Sequence, residues 1–205
     1  GDSEKIKNQG IDIVHELKGV GKNLQDHLMF RPVYKLKNIK SLNRDVESLY
    51  SKFLMGIQYI LKQSGPITMG ASQVCAFTKS DPSRATPNLQ FHVQPLSTDI
   101  LGVTPMHNFE GITPTVANIR PTSRGEINIT SNDSRDNPKI KMNYLSTEDD
   151  RIVAAKSLKL VRKIMLETET FKKYQPEEYR PGVHITDDEE LVKAGSDFTQ
   201  TIFHP

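Results

Sequence analysis

Tryptophan is absent from this chain of 205 residues, and cysteine occurs once, as Cys75. A single thiol excludes an intrachain disulfide and any zinc site built from several cysteines. Charge excess is missing as well: 27 Lys and Arg stand against 25 Asp and Glu, a formal net charge of +2. No nucleic-acid partner is expected from that balance, because a phosphate-binding face needs clustered basic residues. Long apolar runs are also lacking. The most apolar stretch, residues 53–60, is broken by Gly56 and Gln58, and a membrane-spanning helix needs about 20 residues.

What remains is the composition of a soluble globular protein, 36% hydrophobic and 25% charged. The length suits one large or two small domains. Gly1-Asp2-Ser3-Glu4 at the start carries no initiator Met and no targeting signal, so a cytoplasmic location is the default expectation, with peripheral membrane association through an electron-transfer partner left open. Thr201-Ile202-Phe203-His204-Pro205 at the end is an apolar pair followed by His-Pro, not a polar tail. These ends suggest a piece of a longer protein.

Periodicity divides the chain into mixed elements. Residues 3–9 read as a short polar helix, and 11–17 as a strand before the turn Gly19-Val20-Gly21. Strands are expected at 29–36, 72–78, 89–96, 113–119, 126–130 and 139–142. The pair 113–119 and 126–130 is expected to form an antiparallel hairpin around Ser123-Arg124-Gly125. A long helix is expected over about 45–63, capped by Asn43 or Asp45, with one face buried through Val46, Leu49, Tyr50, Phe53, Ile57, Ile60 and Leu61. A second should start at a Ser146 cap and bury Ile152, Val153, Ala155, Leu158, Val161, Ile164 and Met165. A last one, 187–198, carries acids in its first turn, as the helix dipole favours. Strands mixed with long helices, without regular βαβ alternation, indicate an α+β fold: a mostly antiparallel sheet flanked by helices.

Catalytic signatures are sparse when each is taken alone. There is no GxSxG elbow, HExxH pair or P-loop lysine. The six histidines, at 15, 27, 92, 107, 184 and 204, show no helical metal-ligand spacing. His15 and His184 read as surface residues. In Leu89-Gln90-Phe91-His92-Val93-Gln94, alternation places Gln90, His92 and Gln94 on one strand face, either solvated or lining a polar cavity. Cys75 reads as a small buried hydrophobe. His27 and His204, taken singly, read as structural hydrogen-bonding residues.

Several segments together are familiar. Gly19-Val20-Gly21-Lys22-Asn23-Leu24-Gln25-Asp26-His27 resembles the GVGxNLQDH segment of the glucose–methanol–choline (GMC) flavin oxidoreductases. Arg120-Pro121-Thr122-Ser123-Arg124-Gly125 resembles that family's RPxSRG turn, and Asn143-Tyr144-Leu145-Ser146 its NYLS segment. Thr201-Ile202-Phe203-His204-Pro205 resembles the start of its TxxHPxGTxxMG signature. Gly70-Ala71-Ser72-Gln73, Pro87-Asn88-Leu89-Gln90-Phe91-His92 and Tyr179-Arg180-Pro181-Gly182-Val183 resemble the choline-dehydrogenase-like alcohol dehydrogenase branch.

The resemblance implies FAD as cofactor and oxidation of a primary alcohol by hydride transfer to the flavin. Residues 1–28 would be the exit from an FAD-binding domain and 29–205 most of a substrate-binding domain. His204 would match the catalytic histidine that handles the alcohol proton, a task suited to imidazole near neutral pH. Asn23, Asp26 and His27 would support the cofactor, and His92 would face the substrate cavity. Where choline-oxidising members carry a carboxylate two residues after the NLQDH histidine, this chain has Met29. Without that anion a quaternary ammonium loses its electrostatic partner, so an uncharged primary alcohol moves ahead of choline. Choline proper and a non-catalytic α+β binding module stay as alternatives. The electron acceptor, oxygen or a quinone- or dye-type partner, and the oligomeric state are left open by the residues. The piece alone is expected to be inactive.

Overall fold

The computed structural model describes residues 1–203 apart from Ala71. Asp2 caps α1 (Ser3–Lys7) by accepting from the amides of Glu4 and Lys5. Residues 11–17, expected as a strand, have no regular structure. Their alternation is loose, and a strand needs a paired neighbour. The first ladder residues are β1 (Lys22–Leu24). Pro32 has no amide hydrogen for a ladder, and it divides the strand expected over 29–36 into β2 (Leu28–Phe30) and β3 (Val33–Lys35).

The remaining strands are β4 (Val74–Thr78), β5 (Leu89–Gln94), β6 (Gly111–Asn118), β7 (Gly125–Asn128), β8 (Lys139–Lys141), β9 (Glu177–Arg180) and β10 (Thr199–Thr201). Every pairing among them is antiparallel. In the larger sheet β6 is central. One edge of β6 pairs with β5, which pairs with β4. Its other edge pairs with β2 and then β3, which β10 and β9 flank in turn. The smaller sheet has the order β1-β7-β8.

The expected hairpin between residues 113–119 and 126–130 does not form. Pro121 interrupts the ladder, and the amides of Thr122 and Ser123 donate to the Asp150 carboxylate at 2.9 and 2.8 Å instead of to a strand. The turn thereby hands the chain from one sheet to the other.

The helix expected over 45–63 is two helices, α2 (Leu42–Asp45) capped by Ser41 and α3 (Leu49–Lys62) capped by Ser48. Asn43 is no cap but a buried tie: its Nδ2 donates to Ser97 Oγ and Phe109 O at 2.9 and 2.8 Å, and its Oδ1 accepts from Ser97 N at 2.7 Å. The apolar side of α3 is not buried among the described residues, with Leu49, Tyr50, Phe53 and Ile60 exposed. Periodicity reports amphipathy and not what covers it.

Thr147, not Ser146, caps α4 (Glu148–Arg162), because the Ser146 amide donates to Ser123 Oγ at 3.0 Å. A π-helical turn over Lys163–Glu167 and α5 (Glu169–Lys172) follow. Asp187 caps α6 (Asp188–Ser196) by accepting from Glu189 and Glu190, as the acid-rich first turn suggested.

The core lies between the helices and one face of the larger sheet. Phe30, Tyr34, Leu36, Leu89, Phe91 and Val116 meet Val153, Ala154, Leu158, Val161 and Met165 from the α4 stretch, and Leu191 and Val192 from α6. Each such fully buried large side chain contributes about 1.5–3 kcal/mol over its exposed state. Ile152 and Cys75 are exposed, contrary to the sequence reading. Cys75 sits on β4, which pairs with β5 on one side only. The expected α+β class holds: antiparallel sheet, helices on one face.

Candidate functional site

Strand alternation turns the neighbours of those core residues to the opposite face. Gln90, His92 and Gln94 on β5 share this face with Thr113, Thr115 and Ala117 on β6 and Met29 on β2. Register aligns them in rows: Gln90, Ala117, Met29 and Gln200 stand opposite one another in succession across four strands. His92 faces Thr115 in the next row, and Gln94 faces Thr113 beyond it.

This face is polar yet largely withdrawn from water. Thr113 and Thr115 are fully buried, and their hydroxyls donate to Leu96 O and His92 O, both at 2.7 Å. Gln94 is buried; its Nε2 donates to Ser72 Oγ at 3.3 Å, while its Oε1 has no donor among the described residues. His92 is half-buried and Met29 buried. Gln90 and His92 are half-buried and Gln94 is buried, so this face is not the fully solvated one.

The segment before β2 is built by close backbone packing. At Gly21, φ is +81° and a Cβ would stand 2.4 Å from Ile127 O, so the turn into β1 admits only glycine. Asn23 adopts φ +59° and is exposed. Asp26 accepts from the Tyr144 hydroxyl, and burial first, then this bond, pushes the Tyr144 phenol up to about 12. His27 is buried, and its carbonyl accepts from Ile202 N at 3.4 Å. Beside that bond Thr201, Gln200 and Thr199 pair with Leu28, Met29 and Phe30. His204 lies outside the described residues.

A second anchor fixes the RPTSRG turn. Asp150, 4% exposed at the start of α4, accepts from Thr122 N, Ser123 N, Thr122 Oγ1 and Asn118 Nδ2. Burial raises its pKa, but the hydrogen bonds from Ser123 and Thr122 outweigh that and hold the carboxyl below its usual value. Leu24, Asp26, Pro121, Ser123, Tyr144 and Asp150 line one cleft. Thus three segments distant in sequence converge there, and the fourth runs beside β2.

Sequence reasoning missed three residues that organise this region. Tyr144 and Asp150 carry no signal beyond their motif context. Arg31 carries one, a charge in an otherwise apolar stretch two residues after Met29. Arg31 is 3% exposed, and its Nε, Nη1 and Nη2 have no acceptor among the described residues. Away from the face, Arg162 donates from Nε and Nη2 to Glu178 at 2.9 and 3.0 Å, tying α4 to β9. Among the described residues there is no cluster of three or more metal-ligating side chains, and no helix long and apolar enough to cross a membrane.

Residues 121–205 match the family profile described as GMC oxidoreductase. The whole chain is 33% identical over 207 residues to the oxygen-dependent choline dehydrogenase of Chromohalobacter salexigens, and 33% identical over 205 residues to that of Photobacterium profundum. It spans 36% of the length of each. Among solved structures, a formate oxidase superposes with a TM-score of 0.86 at 20% identity, covering 99% of this chain and 40% of that one. A pyridoxine 4-oxidase from Mesorbium loti superposes with a TM-score of 0.76 at 19% identity, covering 99% and 35% respectively.

Proposed function

The chain belongs to the GMC oxidoreductases, and from that premise we propose that it forms the substrate-side part of an FAD-dependent enzyme that oxidises a primary alcohol to an aldehyde. The observation that carries this reading is the pairing of β10 with β2, which sets the segment leading to His204 beside the segment that follows His27. Residues 199–202 and 27–30 are thereby adjacent although far apart in sequence, as a shared centre would require. On this reading, residues 1–28 are the exit of an FAD-binding domain and 29–205 belong to the substrate-binding domain.

The residues present fit a flavin and an alcohol. The Gln94 Oε1 that lacks a donor among the described residues is a buried acceptor suited to a ligand N–H or O–H. Asn23, Asp26 and His27 would hold the cofactor side of the junction, with Tyr144 fixing Asp26. A bound FAD supplies the hydride acceptor. His204 takes the hydroxyl proton or stabilises the developing alkoxide. His92 and Met29 wall the substrate, and the buried threonines beside them keep the face dry, which strengthens each polar contact. The acceptor that reoxidises the flavin is oxygen or a quinone- or dye-type partner.

The curated relatives are named for choline, which makes choline the second reading. Met29 in place of a carboxylate weighs against it. Anaerobic mixing of the full-length protein with n-butanol, benzyl alcohol or choline tests both readings. The flavin band should bleach fastest with an uncharged alcohol; bleaching by choline alone reverses the order, and no flavin band refutes the enzyme reading.

A further inference from the structure

The polar sheet face holds one buried charge that its surroundings do not neutralise. Arg31 follows β2 directly, and alternation from core residue Phe30 puts it on the face of Met29. Its amide donates to Phe198 O at 3.2 Å, so the backbone is fixed. The guanidinium is 3% exposed, with no acceptor for any of its three nitrogens among the described residues. Its charged neighbour is another arginine: Arg180, opposite Val33, opposes protonation of Arg31 in addition to burial.

Arg180 is already satisfied. It pairs with Asp99, which also bonds His107 Nε2 at 3.3 Å, and its guanidinium lies over the Phe198 and Tyr179 rings at 5.7 and 6.0 Å. Asp99, the acid that pairs with Arg180, is therefore held by two other partners. An arginine does not escape burial by losing its proton. A buried guanidinium without a counter-charge is costly, and its planar fork of donors matches a carboxylate.

We propose that Arg31, with Arg180 behind it, forms an anion subsite that receives the carboxylate of an alcohol substrate. This deepens the proposed function and rests on it. Two residues along a strand cover about 7 Å, so an alcohol whose reacting end lies near Met29 and His92 would reach Arg31 with a group a few carbons away. The same cation repels a trimethylammonium, an obstacle to choline independent of Met29.

The test uses the full-length flavoprotein and pairs that differ only in charge: γ-hydroxybutyrate against its amide, and p-(hydroxymethyl)benzoate against benzyl alcohol. The carboxylates should show kcat/KM about tenfold or more above their neutral partners, and Arg31→Gln should erase most of that preference, mainly through a raised KM for the carboxylates. Arg31→Lys should retain part of the preference. Benzoate, which carries no alcohol, should bind the wild type by calorimetry and bind Arg31→Gln at least about tenfold more weakly, a readout independent of turnover. Equal use of charged and neutral partners, or an equal loss of both in Arg31→Gln, overturns the subsite and marks Arg31 as paired within the polypeptide. Failure of every alcohol to bleach the flavin defeats the proposed function instead, and the benzoate arm still decides the subsite.

Discussion

Ile202 N donates to the carbonyl of His27 at 3.4 Å, and Thr201 stands opposite Leu28 in the adjoining ladder. One short antiparallel pairing thus brings residues 27–30 and 199–202, far apart in sequence, together at one edge of the larger sheet. Everything that supports this edge should matter to the site, and the supports can be tested separately.

The Arg162–Glu178 pair joins α4 to β9, with the Glu178 side chain fully buried and the Arg162 side chain 15% exposed. Gly182 N also donates to Glu178 at 3.0 Å, and Arg162 Nη2 to Gly182 O at 2.8 Å. Glu178→Gln leaves the guanidinium buried against a neutral group and should cost about 3 kcal/mol in urea unfolding. A loss under about 1 kcal/mol, the range of an exposed pair, would show that water reaches the bridge.

Asp150 gives a pH signature with a definite sign. Its folded pKa lies below the ordinary value of 3.8, so its contribution is complete above about pH 4 and declines as pH falls through the folded pKa. Asp150→Asn should lose about 2 kcal/mol at neutral pH, and the gap to wild type should close on acidification below pH 4. Thermal unfolding of both proteins across that range checks it; a gap constant with pH would mean that the Asp150 charge is not what the turn amides recognise.

Gly125 tests the smaller sheet. A Cβ there would stand 2.2 Å from Lys141 O and 2.6 Å from Met142 O, both backbone atoms of the segment paired with β7. Gly125→Ala should separate β7 from β8 and speed amide exchange in β1, β7 and β8 while the helical core stays protected. Gly56→Ala, where an added Cβ would meet nothing within 4 Å beyond its own stretch of helix, is the control and should be neutral or stabilising by up to about 1 kcal/mol. Equal protection in both variants would contradict the close packing.

Much of this arrangement was legible in the sequence, for physical reasons. Period-two alternation in residues 89–94 separates Leu89 and Phe91 from Gln90, His92 and Gln94 without reference to any other element, and the two sets lie on opposite faces. Acids ahead of α4 and α6 mark their starts to within a residue or two. What sequence could not supply was long-range partnership. The α3 stripe specifies a buried face but not its cover, Cys75 is apolar but lies on a strand at the sheet's border, and β7 pairs with β1 and β8 because Asp150 redirects the intervening turn. The motif segments were readable one by one; that Asp26 is held by Tyr144 was not.

The most direct test of the account replaces His204 by alanine in the full-length protein and follows the flavin spectrum during anaerobic titration with a primary alcohol. The account predicts that the variant keeps its flavin and fails to bleach, with reduction at least about a hundredfold slower than wild type. Reduction at a near-normal rate with flavin bound would contradict it.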